Sequence, residues 1–409
     1  MRILLLTHRI PYPPNKGDKI RSYHQLQYLL ERGSVYLGTL IDDPRDLGYA
    51  DELGINCEDT FFAEINTKAK RFISALYQVA TGKPASVTYF HDRKLQQWIN
   101  IILDSRRIDL IFCFSSTMAE YLFRSPSWKR IKEQGVQLVM DFCDVDSRKW
   151  QDYGEIKRWP LSTFFRREGK LLQQYEQDIA TAFDICFLAS SRERRLFHQL
   201  HGGQNVSVLQ NGVDLDFFSN RESTVVEKNT SPVLVFTGAM DYDVNIDGVL
   251  WFVSYIWPRI IEKAPDVRFY VVGSNPTREI KSLEQKGGIT VTGYVEDIRE
   301  YYKMATICVA PLRIARGIQN KILEAMAMTK PVICTSNAFE GIIANPGQDL
   351  IVADEPEDFA LSVLALLENS KKRQLIAERG RRCMEEKYSW DAQLSLLDQY
   401  IRFNGGKAS

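Results

Sequence analysis

Short, largely apolar runs alternate along the chain with longer stretches whose apolar positions recur every three or four residues. Ile3–Leu6, Val35–Ile41, Leu110–Phe114, Val136–Met140 and Ile185–Ala189 have strand length. Asp18–Arg32, Asp92–Arg107 and Thr163–Ala182 carry helical spacing between them. Strands covered on both faces read as apolar runs, so the alternation predicts a parallel sheet with helices on each side. The pattern restarts after the polar stretch Asn220–Ser231. Val233–Phe236, Val267–Val272, Ile289–Val291, Thr306–Ala310 and Pro331–Cys334 predict a second sheet. Asn245–Lys263, Gly317–Met328 and Phe359–Leu367 predict its helices. A last helical stretch, Ser389–Phe403, puts Trp390, Leu394, Leu397, Tyr400 and Ile401 on one face that needs a surface to cover.

Length agrees with this division: 409 residues suit two domains of ordinary size. The chain holds 52 basic and 52 acidic residues, and a zero net charge argues against a nucleic-acid partner. One basic cluster stands out, with Lys157, Arg158, Arg166, Arg167 and Lys170 close together. The 7 cysteines include no CxxC pair, and four lie in apolar runs, as expected of buried free thiols in a reducing compartment. Met1–Leu6 is too short and too soon interrupted for a secretory leader and reads as a first strand. No run of about 18 apolar residues occurs, and a cytoplasmic location is expected.

Candidate chemistry lies in the loops that follow strands, where doubly wound sheets hold ligands. Pro11-Tyr12-Pro13-Pro14-Asn15-Lys16-Gly17-Asp18 follows the first strand, with Gly17 at a helix start. Arg21 and His24, three residues apart, would share a face. GxGxxG and Walker A patterns are both absent. Thr237–Asn245 is a small-residue turn before a helix, with Gly238 and Asn245 as phosphate-cradle candidates. Gly273 ends the next strand. From Ala310 onward a strand runs into a polar loop, Arg313–Gly317, and then a helix. Gln319, Asn320, Lys321 and Glu324 lie at its start. Glu324 falls in an otherwise apolar stretch, where a carboxylate is costly without a partner. The alternatives are a pair of ribose hydroxyls or a Lys321–Glu324 surface pair. Asp144 and Asp146 follow another strand and would point the same way if the chain stays extended. Both would then face whatever lies beyond the strand end, unless the stretch is simply a turn.

Ile322-Leu323-Glu324-Ala325-Met326-Ala327, followed by Lys330-Pro331-Val332-Ile333, resembles the second half of the Glu-x7-Glu region of family-4 retaining glycosyltransferases. Val208-Leu209-Gln210-Asn211-Gly212-Val213-Asp214 resembles the interdomain segment of the same family, and the first strand with its Gly17 loop fits too. Three further stretches resemble the sugar transferases of exosortase and exopolysaccharide gene clusters. They are His8–Pro14, Asp141–Ser147 and Gly317-Ile318-Gln319-Asn320-Lys321. The resemblance implies an α/β protein of GT-B architecture, two doubly wound Rossmann-like domains facing across a cleft. It places the domains at 1–207 and 208–388, with the last helix, 389–409, crossing back onto the first.

The implied activity is hexosyl transfer from a nucleotide sugar to a sugar or lipid-linked acceptor, with retention and without a metal, in polysaccharide or glycoconjugate synthesis. Donor contacts would come from Gly17, Asn211, Gly238, Asn245, Gly273, Gly317, Gln319, Asn320, Lys321 and Glu324, with Glu324 on the ribose. Asp144, Asp146 and Arg316 would act at the reacting sugar, with one aspartate on the acceptor hydroxyl or on developing positive charge, and Arg21 and His24 would lie on the acceptor side. Arg316 stands where the family motif has its first Glu, and an arginine suits a pyrophosphate or an acidic sugar. The family's phosphate-binding basic pair is absent after Gly238, and Lys321, Arg313 and Arg316 are possible replacements. Two rival readings remain at this stage. One is an epimerase of the same architecture, for which His198 and His201 are the clustered histidines. The other is a non-catalytic sugar-nucleotide-binding protein. The basic helix Trp159–Ala182, with Phe164, Phe165, Leu171 and Leu172, would either pack on its own domain or rest on an anionic membrane.

Overall fold

The computed structural model describes residues 1–14, 17–65, 67–203, 205–219, 231–315 and 318–403. These form two α/β units, Met1–Gln210 with the chain from Leu394 onward, and Asn211–Gln393. The first unit contains β1 (Arg2–Thr7), β2 (Ser34–Ile41), β3 (Asp59–Glu64), β4 (Leu110–Phe114), β5 (Gln137–Cys143), β6 (Ile185–Leu188) and β7 (Val206–Val208). All pair in parallel in the order β3-β2-β1-β4-β5-β6-β7. Ile3, Leu4, Leu5 and Leu6 of β1 are fully buried, which is why this strand has no polar alternation. The second unit contains β8 (Val233–Thr237), β9 (Arg268–Val272), β10 (Ile289–Gly293), β11 (Ile307–Ala310), β12 (Val332–Cys334) and β13 (Ile351–Val352). Their order is β10-β9-β8-β11-β12-β13, again all parallel. Strand order reverses between β1 and β4 in one sheet and between β8 and β11 in the other. Those are the switch points at which doubly wound sheets open a crevice at their carboxyl ends.

The sequence pattern missed β3, β7 and β13. β3 and β7 are the outer strands of the first sheet and β13 of the second. An outer strand has one neighbour and incomplete cover, so its residues need not form an apolar run. The predicted helix Asn245–Lys263 is Asp243–Trp251, a wide turn at Phe252–Ile256, then Trp257–Lys263. Pro258 follows that turn. Lacking an N–H, it cannot continue the ordinary ladder, and Trp257 N–H donates instead to Phe252 O, five residues back. All seven cysteines are unpaired.

The first unit is held by buried charge as much as by apolar packing. On the helix Gly17–Leu30, Lys19, Arg21, Ser22 and Gln25 are buried. Arg21 is 0% exposed and clamps the equally buried Asp141 at the end of β5, with Nε 2.7 Å from Oδ2 and Nη2 3.1 Å from Oδ1. Gln25 donates to the same carboxylate, and Lys19 meets Asp46 at 2.6 Å. The long helix Leu161–Ala182 docks through two buried carboxylates. Glu168 accepts from Gln78 Nε2 at 2.6 Å, Ala85 N at 2.7 Å and Ser86 N at 2.9 Å, so it caps the helix Ala85–Tyr89. Glu176 accepts from Ser147 N at 2.9 Å, at the start of the helix Asp146–Ile156. Carboxylates at helix starts meet unpaired N–H groups and the positive dipole end. On this helix Leu172 is buried and Phe164 and Phe165 are half-buried, so the apolar face named from sequence packs on its own unit.

The chain returns to the first unit at its end. Ser395–Gln399 is a short 3-10 helix rather than part of the predicted Ser389–Phe403 helix. Asp398 accepts from Tyr28 OH and Arg32, Gln137 Nε2 donates to Tyr400 O at 2.6 Å, and Leu397 and Ile401 are buried.

Replacing Arg21 with Met leaves Asp141 buried and unpaired, a change that typically costs about 3–5 kcal/mol. For a chain of this size the melting temperature should fall by roughly 5 °C. The Arg21→Met, Asp141→Leu double variant should recover most of the loss. Thermal melts of both variants by circular dichroism check this, and equal melting of the single variant and wild type would remove the pair as a structural element.

Candidate active site

In the second unit, β8 ends at Thr237 and the backbone turns sharply over its neighbour. Gly238 N–H donates to Val272 O at 2.9 Å, and Met240 N–H to Ser274 O at 2.8 Å. A Cβ on Gly273 would stand 1.8 Å from Gly238 O, so only glycine allows the two strand ends to touch. A Cβ on Gly238 would stand 2.6 Å from Asn245 Nδ2 and 3.1 Å from Lys321 Nζ. Three segments distant in sequence therefore meet around one bare backbone turn. Asn245 lies in the first turn of the helix Asp243–Trp251, and Lys321 in the first turn of the helix Asn320–Ala327.

Lys321 Nζ donates to Asn245 Oδ1 at 2.6 Å and lies 4.4 Å from the centre of the Phe236 ring. Asn245 Nδ2 is spent on Ala239 O at 2.9 Å, which fixes its oxygen toward the lysine. Among the described residues no carboxylate lies within ion-pair distance of Lys321. Burial pushes its ammonium down to about 7, against a smaller upward pull from Glu324. A desolvated cation with spare donors, beside glycine turns and two helix starts, is suited to an anion such as a diphosphate.

Glu324, one turn further along, accepts from Tyr302 OH at 2.8 Å through Oε2. Tyr302 is buried and shares its hydroxyl with Thr237 Oγ1 at 2.9 Å. Burial raises the Glu324 carboxyl above its usual range, while Tyr302 and Lys321 hold it down. Oε1 is left for a further donor. Asn320 adds a buried Oδ1 with no hydrogen-bond donor, costly unless a ligand supplies one. Gln319 occupies the position before the helix.

The structure thus gathers Gly238, Gly273, Asn245, Lys321 and Glu324, and adds Tyr302 and Thr237, which sequence reasoning missed. The missed signal was a tyrosine in a short helix whose hydroxyl needed a buried partner. Asn211 begins the second unit, next to a segment shaped by the end of that unit. Val213 N–H donates to Tyr388 O at 2.6 Å, and a Cβ on Gly212 would stand 2.6 Å from the Trp390 ring, so this segment is moulded onto Tyr388–Trp390. Arg313 is held by Asp247 through two hydrogen bonds, which removes it as a free phosphate cation. Arg316 and Gly317 lie outside the described residues.

At the carboxyl edge of the first sheet the expectations need correction. Arg21 is buried on Asp141 and does not present itself to an acceptor. His24 is half-buried and edge-on to Tyr23, so the two do not form a shared exposed face. Gly17 is exposed at the helix start. Asp144 and Asp146 do not alternate along an extended chain. Cys143 takes φ 65°, with its N–H on Asp141 Oδ1 at 3.0 Å, and Asp146 already begins a helix. Asp144 is exposed. Asp146 is half-buried near Ser116, its carboxyl pushed up to about 7 by burial, with the charge of Glu176 adding to it. His201, one of the paired histidines an epimerase would use, is spent on buried Glu176 at 3.1 Å. Among the described residues no group of three or more His, Cys, Asp or Glu is placed to hold a metal ion.

Residues 231–369 match the family described as Glycosyl transferases group 1. An uncharacterized 44.6 kDa protein in the cps region of Klebsiella pneumoniae is 23% identical over 397 residues, 95% of this chain and 96% of that protein. HepE of Anabaena, solved in complex with UDP, superposes with a TM-score of 0.68 at 14% identity, covering 98% of this chain and 99% of that one. WaaG, a glycosyltransferase involved in lipopolysaccharide biosynthesis, superposes at 0.63 with 14% identity, covering 99% and 100%. The cluster around Gly238 and Lys321 therefore lies within the stretch that matches the glycosyl transferases group 1 family, in a chain that has the two-sheet GT-B fold of these structures.

Proposed function

We propose that the chain transfers a glycosyl group from a nucleoside-diphosphate sugar to a sugar or lipid-linked acceptor, with the second unit holding the donor. The observation that carries this reading is Lys321, an unpaired, desolvated cation set against the Gly238 turn, with Glu324 one helical turn away. The diphosphate would lie on the Gly238 turn and Lys321, and the ribose hydroxyls on Glu324 Oε1. As the glycosidic bond breaks, negative charge grows on the leaving phosphate. Lys321 and the helix N–H groups stabilise it more strongly than they stabilise the ground state. Arg316 would meet the pyrophosphate or an acidic sugar, and Asp144 and Asp146 the acceptor.

UDP is the first nucleotide to try, because HepE has been solved with it. Retention, membership of family 4 and of its exosortase-associated subgroup, metal independence and a cytoplasmic, membrane-peripheral location complete the proposal. The Klebsiella relative in a cps region supports a place in surface-polysaccharide synthesis.

Glu324→Ala should weaken UDP binding by at least about tenfold, since charge-assisted hydrogen bonds contribute about 1.5–3 kcal/mol each. The fold should remain intact, because alanine suits a helix at least as well. Titration calorimetry with melting controls tests this, and unchanged affinity in a folded variant would move the ribose away from Glu324.

The pH dependence of binding tests Lys321. In the free protein its proton leaves as pH rises through about 7. A bound diphosphate favours the ammonium and raises that value, so UDP should bind with proton uptake above neutrality. Affinity should fall by up to about tenfold per pH unit there. Calorimetry in buffers of different ionisation enthalpy measures the uptake. Lys321→Met should abolish both uptake and slope, whereas a slope that persists in the variant assigns the titration to another group.

UDP in large excess should also stabilise the chain by about 2.7 kcal/mol at roughly 100 times its dissociation constant. The same shift should appear with chelator present. A shift that appears only with magnesium or manganese would overturn metal independence.

A further inference from the structure

We propose that Ile156–Leu161, the tip joining two helices of the first unit, is a docking element for an anionic lipid bilayer. The helices Asp146–Ile156 and Leu161–Ala182 pack closely because both carry glycine at the contact. A Cβ on Gly154 would stand 2.6 Å from Arg166 Cγ, and one on Gly169 2.6 Å from Gln151 Cγ. At their junction Ile156 is 76%, Trp159 82% and Leu161 53% exposed. Three large apolar side chains within six consecutive residues thus stand in water, while Phe164, Phe165 and Leu172 of the same helix are covered by their own unit.

The charge along this tip is mainly positive. Lys157, Arg158, Arg166, Arg167 and Lys170 are all exposed, and among the described residues none is paired with a carboxylate. Glu155 is the only exposed acid between residues 155 and 170, and Glu168 is buried in its capping role. Apolar tips within a ring of cations match the boundary between lipid head groups and acyl chains. There tryptophan is favoured and anionic head groups attract lysine and arginine. The tip is also held in place. The Trp150 and Tyr153 rings lie tilted against Phe165, with centres 5.3 and 6.1 Å away, and Arg166 Nε donates to Gly154 O at 3.2 Å. A pre-formed tip loses little freedom on insertion. Among the described residues no helix is long and apolar enough to cross a membrane, and the tip would insert only to the depth of the head groups. The proposal deepens the membrane side of the function above and makes no use of the donor site.

Sedimentation with vesicles of equimolar phosphatidylcholine and phosphatidylglycerol tests it. Wild type should bind these, bind pure phosphatidylcholine weakly, and dissociate as salt is raised. The Trp159→Ala, Leu161→Ala double variant should lose at least about tenfold in partition, from the apolar area no longer buried. Lys157→Glu, Arg158→Glu should lose a similar factor on anionic vesicles only. Both variants should melt as wild type does, and their UDP affinity should be unchanged, which separates this element from the donor site. Two results overturn the proposal: equal vesicle binding by variants and wild type, or failure of wild type to bind. A third would also overturn it, namely wild type eluting as a dimer while the variants elute as monomers, for the tip would then be a contact between copies of the chain.

Discussion

A sheet whose strands all run one way has a single edge at which every strand ends, and this constraint organises both units. Buried strands leave no room for polar side chains along their length, so polar groups collect where the strands stop. In the first sheet that edge carries Asp141, Cys143 and Asp144. In the second it carries Thr237, Gly238 and Gly273. Two structures of unrelated detail follow from the same topology. One edge is closed by an internal ion pair, and the other is left with a cation that has no carboxylate within ion-pair distance among the described residues.

The contrast between Arg21 and Lys321 turns on desolvation. Arg21 is fully buried and its charge is met at once by a carboxylate, so it shapes the backbone that sets Asp144 in place. Lys321 is partly buried beside Glu324, yet its ammonium is met by an amide oxygen and an aromatic ring. An amide dipole offsets only part of the lost hydration, and the ammonium is correspondingly easy to deprotonate. A group left in that condition by the fold gains most when an anion arrives. Glu324 is complementary. Tyr302 satisfies one of its oxygens, so the carboxylate is oriented before any ligand binds.

The strands of both sheet interiors were legible because burial on two faces imposes runs such as Ile3–Leu6 and Val233–Phe236. The outer strands were not, because β3 and β13 are only partly covered. Glycines 238 and 273 and the Lys321–Glu324 spacing were visible as motif, but the contact of Lys321 with Asn245 joins residues 76 apart, and no local pattern records it. Arg21 misled for a related reason. A basic residue on a helix's first turns reads as solvated, and its partner, Asp141, is 120 residues away. Asp144 and Asp146 misled because extension was assumed where Cys143 turns the chain.

The second unit is, in chain order, an insertion within the first. Synthesis delivers Met1–Gln210, then all of Asn211–Gln393, and only then the segment that completes the earlier unit. The second unit can therefore finish folding while the first still lacks Leu397, Ile401 and the carboxylate that holds Tyr28 and Arg32. At roughly 5–20 residues per second, the ribosome needs on the order of ten to forty seconds to cross the insertion. Through that interval Gln137 and Ser207 await Tyr400, so the portion of the chain made first is the last to close.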